Sequence, residues 1–262
     1  MAVCAFLEWP DGLEPSGPQW AMLRKGIDAS RPDILVTNEM PFGPWLASAN
    51  ALDPAAAARS VEVHERGMEA LAGLGLAAVI SSRPVWAGGK LVNEAFSLER
   101  GRSSILHRKQ MFPDEPGWYE TAWFTPGDGG FALREIAGVN TGVLLCTELM
   151  FNERARCYGR AGADLIVAPR ATGVSQHEWL TAGAMAAIVS GAYVVSSNRT
   201  GFPVGGPQFG GGGFAFAPDG SPLGTTSHES PLMAVELDLS FARRQKSEYP
   251  CYVKEPSIEP LA

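Results

Sequence analysis

A cysteine ends an apolar run near the middle of this chain. Val143, Leu144 and Leu145 lead into Cys146, Thr147 and Glu148, and an amphipathic segment follows over residues 151–160. The pattern predicts a buried strand, a sharp turn and a helix. A thiol at that turn would meet the positive end of the helix dipole and free N–H groups. These favour a thiolate and can hold a developing oxyanion. A buried structural cysteine is the competing reading, since free cysteine is among the most buried residue types.

Two more residues of catalytic type end apolar runs. Residues 33–39 read as a strand that closes on Glu39, just before the loop-forming Pro41, Gly43, Pro44 and Trp45. An acid at a strand end is a usual place for a functional side chain in α/β sheets, and a surface carboxylate is its plain alternative. His107, Arg108 and Lys109 follow the strand 103–106, with positions 107 and 109 on one face. Such a triplet also suits a solvated basic surface. The long stretch 110–128 then carries Phe112, Trp118, Tyr119, Trp123 and Phe124 among several prolines and glycines. A loop this rich in aromatics either walls a pocket or forms a satellite cluster.

The elements that must position these groups alternate. Strands are expected over 3–7, 33–39, 76–82, 91–98, 103–106, 164–168, 192–196, 214–217 and 232–237. Helices are expected over 20–29, 55–74, 151–160, 178–190 and 240–246. The run Phe209 to Phe214, with four glycines between, lacks the lysine and helix of a phosphate loop. It reads as a turn with close backbone approach. The Pro-rich tail 247–262 is expected to lie on the surface or against a partner.

The chain has 262 residues, of which 45% are hydrophobic, enough for a sizeable core in one α/β or α+β domain spanning 1–262. A net charge of −7 argues against nucleic acid as a partner. No apolar run suits a membrane helix, and the first residues do not resemble an export signal. The four cysteines form no C-x-x-C pair. Reduced thiols in the cytoplasm, with no disulfide frame and no metal site, are therefore expected.

Taken in order, Glu39, Lys109 and Cys146 resemble the catalytic set of the nitrilase, or carbon–nitrogen hydrolase, superfamily. The resemblance runs over nearly the whole chain. It includes Pro126-Gly127-Asp128, Glu153 seven residues past the cysteine, Ala161-Gly162-Ala163-Asp164, Ser197-Asn198-Arg199-Thr200-Gly201 and Pro218-Asp219-Gly220. It implies a four-layer αββα sandwich that pairs into αββααββα as a homodimer or larger even assembly, a Glu–Lys–Cys triad, and no metal or organic cofactor. Within the superfamily, the segment 113–120 looks most like the N-carbamoyl amine and N-carbamoyl amino-acid amidohydrolases. There Glu120 matches a second functional glutamate. The pairing of Cys146 with Glu148 is closer to true nitrilases, so nitrile hydrolysis stands as an alternative.

The implied chemistry is self-consistent. A thiol with a pKa of about 8.5 needs a base or positive surroundings at neutral pH. Glu39 would take its proton, made basic enough by burial or by the second carboxylate, Glu120. Lys109 and the Thr147 N–H would hold the oxyanion, and an acyl thioester would form on sulfur and be hydrolysed. Arg170 could meet a substrate carboxylate or carbonyl, or else pair with Glu148. Trp45, Trp118, Trp123 and Phe151 could form an apolar wall for a small amide, ureido or nitrile substrate. Two rivals remain: a Cys–His enzyme using His107, and a binding or scaffold protein with an idle triad.

Overall fold

Alternation along the strands divides the core into layers. Cys4 and Phe6, Ile34 and Val36, Val143 and Leu145, Leu165 and Val167, and Tyr193 and Val195 all enter one cluster. Their neighbours Ala5, Leu7, Trp9 and Leu35 pack with Trp20, Ile27, Val63 and Leu71 of two helices, Pro18–Ser30 and Pro54–Ala72. Leu144, Ile166 and Val194 pack instead with Ala155, Tyr158, Ala182 and Ala186 of Asn152–Arg160 and His177–Ser190. Side chains of a strand point to opposite faces in turn, so each sheet must be covered twice. The result is an αββα sandwich, in a computed structural model that describes residues 1–255.

Both sheets are mixed. In the first, Ala2–Pro10 runs parallel to Ile34–Val36, which runs parallel to Ala78–Ala87; Lys90–Glu99 and Arg102–Arg108 follow as antiparallel neighbours. In the second, Val139–Val143, Leu165–Val167 and Tyr193–Ser196 are parallel, with antiparallel strands outside them. Ala2–Pro10 changes partners along its length. Ala2 to Leu7 pair with Leu232–Leu237, and Glu8 to Pro10 pair with Asn198–Gly201. The chain therefore leaves the second sheet at Ser196 and joins the first at Asn198. Ser197 pins the crossing, accepting from Leu7 N–H (3.0 Å) and donating to the Val36 carbonyl (2.6 Å). Through it the carboxyl ends of the central strands of both sheets meet.

Several elements differ from the sequence reading. The strand expected over 33–39 leaves the ladder after Val36, and Met40 turns the chain at φ 45°. The helix behind the cysteine is preceded by a 3-10 turn, Cys146–Met150, and the regular helix is Asn152–Arg160. Asn198–Gly201, which follows the expected strand 192–196, is a further strand. The glycine run does lie close to its neighbours: a Cβ on Gly211 would stand 2.7 Å from the Glu8 carboxylate. Residues 247–255 lie over the helix Asn152–Arg160, where Arg156 donates to the carbonyls of Pro250 (3.0 Å) and Val253 (2.7 Å). The rest of the expected surface tail, 256–262, lies outside the described residues. No helix among the described residues is long and apolar enough to cross a membrane.

Candidate active site

Lys109 leaves the strand Arg102–Arg108 and points into the junction of the two sheets. Its ammonium donates to Glu39 Oε1 (2.7 Å) and to both oxygens of Glu120 (2.8 and 2.7 Å). All three side chains are fully buried, so water does not screen the group. Burial alone would discharge the lysine, but the two carboxylates hold its pKa above the ordinary value. Burial, with Glu39 close by, pushes the Glu120 carboxyl up to about 8, against the pull of Lys109. Glu39 Oε1 also accepts from Asn93 Nδ2 (2.8 Å). Glu39 Oε2 is buried and has no hydrogen-bond partner among the described residues. It is the one carboxylate oxygen of the group left with full capacity to accept a proton.

Cys146 completes the cluster from the second sheet. Its backbone sits at φ 50°, a region costly for a side chain bearing a Cβ and found mostly at functional turns. Its N–H donates to the Pro169 carbonyl (3.0 Å), and the Ala171 N–H bonds the sulfur. The first hydrogen bond inside the 3-10 turn runs from Glu148 N–H to the Leu145 carbonyl, so the Thr147 N–H lies ahead of it. Burial, then Glu39, raises the Cys146 thiol far above its ordinary range, and Lys109 opposes them only in part.

Glu148 ties the two halves together. One oxygen accepts from Leu145 N–H (2.8 Å) and the other from Gln110 N–H (2.7 Å), while His107 Nε2 bonds the carboxylate at 2.9 Å. The residues flanking the cysteine and the lysine therefore share one buried acid. His107 is spent on this contact, which removes the geometry a Cys–His pair would need. Arg170 does not pair with Glu148; its guanidinium bonds Ser196, Thr172 and the Gly212 carbonyl.

Cys146 and Thr147 open on a cavity of about 410 Å³, walled by Trp118, Trp179, Pro113, Val174 and the segment Ala171 to Gly173. Of the expected apolar wall, Trp118 alone borders it. Trp45 and Trp123 are buried behind it, their indole N–H groups on the carbonyls of Gly117 and Ala49, and both face a separate cleft. Phe151 points outward, 38% exposed. Arg170 lies behind the wall. The sequence reading missed Trp179, which belongs to a small-residue helix, and Asn93, a buried amide within an apolar strand. It also missed the bracing role of Glu148. Polar residues inside otherwise apolar runs were the available signal.

Comparison with known proteins places this geometry. The carbon–nitrogen hydrolase family model matches residues 20–247. An N-carbamoylputrescine amidase of Arabidopsis thaliana is 29% identical over 158 residues, 53% of this chain and 53% of that protein. One of Solanum tuberosum is 38% identical over 68 residues, 26% of this chain and 23% of that protein. The matches thus span from about a quarter to about half the length of these curated relatives. A carbon–nitrogen hydrolase from Helicobacter pylori G27 superposes with a TM-score of 0.84 at 23% identity, covering 96% of this chain and 94% of that one. A mutant amidase from Nesterenkonia sp. AN1, with acrylamide added at its active-site cysteine, superposes with a TM-score of 0.76 at 20% identity. It covers 95% of this chain and 98% of that one.

The brace can be tested directly. Glu148→Gln leaves one acceptor oxygen for three donors and turns an NH2 group toward them. Losing those bonds should cost about 1–3 kcal/mol in urea denaturation. Alkylation of Cys146 by iodoacetamide should change with it, because both flanks of the site loosen. Unchanged stability and an unchanged alkylation rate would mean that Glu148 holds nothing together.

Proposed function

We propose that the chain, which belongs to the carbon–nitrogen hydrolase family, cleaves a non-peptide carbon–nitrogen bond in an amide or ureido substrate through Cys146. One observation carries this reading: the unpartnered Oε2 of Glu39 in a buried cluster with Cys146, whose other oxygen is held by Lys109. A base so placed can take the thiol proton as sulfur attacks, without a charged thiolate having to persist at rest.

The steps balance. Sulfur bonds the carbonyl carbon as its proton passes to Glu39. Lys109 and the Thr147 N–H hold the oxyanion. The carbon–nitrogen bond breaks as Glu39 returns the proton to nitrogen, and ammonia or an amine leaves an acyl thioester on Cys146. Water then gives a proton to Glu39 and its oxygen to the acyl carbon, and the thiol leaves reprotonated. Glu120 keeps Lys109 charged and fixed, and stands as the acceptor for a substrate NH2 group.

The names of the curated relatives favour an N-carbamoyl group. Nitrile hydrolysis, suggested by Glu148 following Cys146, stays the alternative; Glu148 itself is turned into the Leu145, Gln110 and His107 contacts. The cavity suits a compact substrate with an apolar body against Trp118 and Trp179. Four free cysteines favour a reducing compartment, the cytoplasm. The exposed face of Asn152–Arg160, with Phe151 and Cys157, is the proposed pairing surface of a homodimer.

Three measurements test this reading. Cys146→Ala should fold and lose turnover; a retained rate above about one percent would remove the cysteine from the mechanism. Glu120→Gln should cut kcat/KM on amides or ureides by about two decades, and on nitriles by less, since a nitrile donates no N–H. Small, equal losses on both would place Glu120 outside the chemistry. Light scattering should give a multiple of 27.9 kDa, and a mass of 27.9 kDa at micromolar concentration would contradict pairing.

A further inference from the structure

Arg170 is fully buried, and every polar partner of its guanidinium among the described residues is neutral. Nε donates to Ser196 Oγ (2.7 Å), one terminal nitrogen to Thr172 Oγ1 (3.2 Å), and the other to the Gly212 carbonyl (2.8 Å). The rings of Phe214 and Trp179 flank it at 4.6 and 5.2 Å. A buried cation without a counter-charge is costly, and proteins seldom keep one for packing alone.

The backbone around it explains what the cost secures. The Pro169 carbonyl accepts from Cys146 N–H (3.0 Å), and the Ala171 N–H bonds the sulfur. The Arg170 carbonyl accepts from Glu39 N–H (3.2 Å), and the Ala171 carbonyl accepts from Trp118 Nε1 (2.8 Å). Three consecutive residues thus grip the thiol, the base and the cavity wall. Their only side-chain anchor of any length is the Arg170 fork, driven into the second sheet. Gly212, one end of that anchor, is itself held by Glu8 Oε1 (2.9 Å).

We propose that Arg170 is a positioning residue for the nucleophile: it fixes the segment Pro169 to Ala171 against Cys146 and supplies a buried positive charge that offsets the negative charge forming on sulfur. The other charged groups around Cys146 are of both signs. Glu39, from the loop after Ile34–Val36, and Glu120, from the one-turn helix Glu120–Trp123, oppose a thiolate, and Lys109 favours it. Glu148 is occupied by His107, Arg199 is paired with Asp11, and Glu115 lies across the cavity. Arg170, between the Pro169 carbonyl that accepts from Cys146 and the Ala171 N–H, has no carboxylate partner among the described residues. Because it lies behind the wall, it acts through the cysteine and not on the substrate.

The proposal rests on Cys146 being the nucleophile, and its test needs no substrate. Iodoacetamide reacts with the thiolate, so below the thiol midpoint a rise of one unit slows alkylation tenfold at every pH. The full-length Arg170→Gln protein keeps a hydrogen-bonding side chain and loses the charge; it should alkylate about tenfold more slowly across the pH range. Arg170→Lys keeps the charge and loses the fork; it should alkylate faster than the Gln variant, yet fall about tenfold in kcat on the best amide as the lost anchor requires. A wild-type rate in the Gln variant, or a Lys variant as slow as the Gln variant, overturns the proposal. If Arg170→Gln fails to fold, Ser196→Ala removes one anchor and keeps the charge. It should lower kcat about tenfold on the best amide with KM unchanged, and an unchanged kcat or an effect on KM alone overturns the proposal. Wild-type protein that hydrolyses at full rate after complete alkylation would sink the nucleophile assignment, and is seen before any variant is made.

Discussion

The structure turns on one buried ammonium. Lys109 lies between Glu39 and Glu120 with no exposure to water, and among the described residues neither carboxylate has another ion-pair partner. Breaking such an arrangement by removing one partner strands a charge in low dielectric, at a cost of about 3–5 kcal/mol. The three groups are therefore mutually obligatory. They also come from distant parts of the chain: the end of a central strand, the end of an outer strand, and a single helical turn inside the aromatic loop. Whatever else the fold does, it must bring those three points together and keep water out. The aromatic loop achieves the second: Phe112, Trp118, Trp123 and Phe124 pack with Trp45, Leu91 and Phe209 around the cluster.

The sandwich meets the first demand through its crossing at Ser197. Parallel strands of both sheets end at the same place, so backbone groups at their carboxyl ends can bond across the sheets. Glu39 N–H reaches the Arg170 carbonyl, and Cys146 N–H reaches the Pro169 carbonyl. Arg199, just past the crossing, donates to the carbonyls of Glu39, Met40 and Gly43 and pairs with Asp11. The base is thus held from its backbone side as well as by its carboxylate. This explains why the chain leaves the ladder after Val36: Thr37 to Met40 exchange strand pairing for contacts with the opposite sheet.

Much of this was legible in the sequence. Glu39, Lys109 and Cys146 each stand at or just past the end of an expected strand, and a residue of catalytic type in such a place is visible without coordinates. The layers were legible too, because strands buried on both faces read as continuous apolar segments. What was not legible depends on direction. Arg170 follows a strand as Glu39 does, yet its side chain turns into the sheet interior and not toward the cavity. Spacing cannot tell the two apart, because a single residue's shift reverses the face. Trp45 and Trp123 failed for a related reason: an aromatic in a loop can wall a cavity or stand behind the wall, and composition is the same in both cases. Glu148 and Asn93 are neutral to any motif, since their importance lies in partners more than 35 residues away.

Burial raises the Cys146 thiol above its ordinary range, and the same burial concentrates the charges around it. A site that kept a thiolate at rest would need to pay for a third anion beside Glu39 and Glu120. Keeping the proton on sulfur until a substrate carbon is in place avoids that cost, and requires a base oxygen with no competing donor. Glu39 Oε2 meets that requirement. In the proposed mechanism the negative charge passes from the carboxylate to the substrate oxygen as the proton moves, and Lys109 can follow it without leaving the cluster. The total charge of the cavity is then nearly constant along the reaction. In a space of low dielectric, a constant total charge spares the site the cost of stabilising a new one.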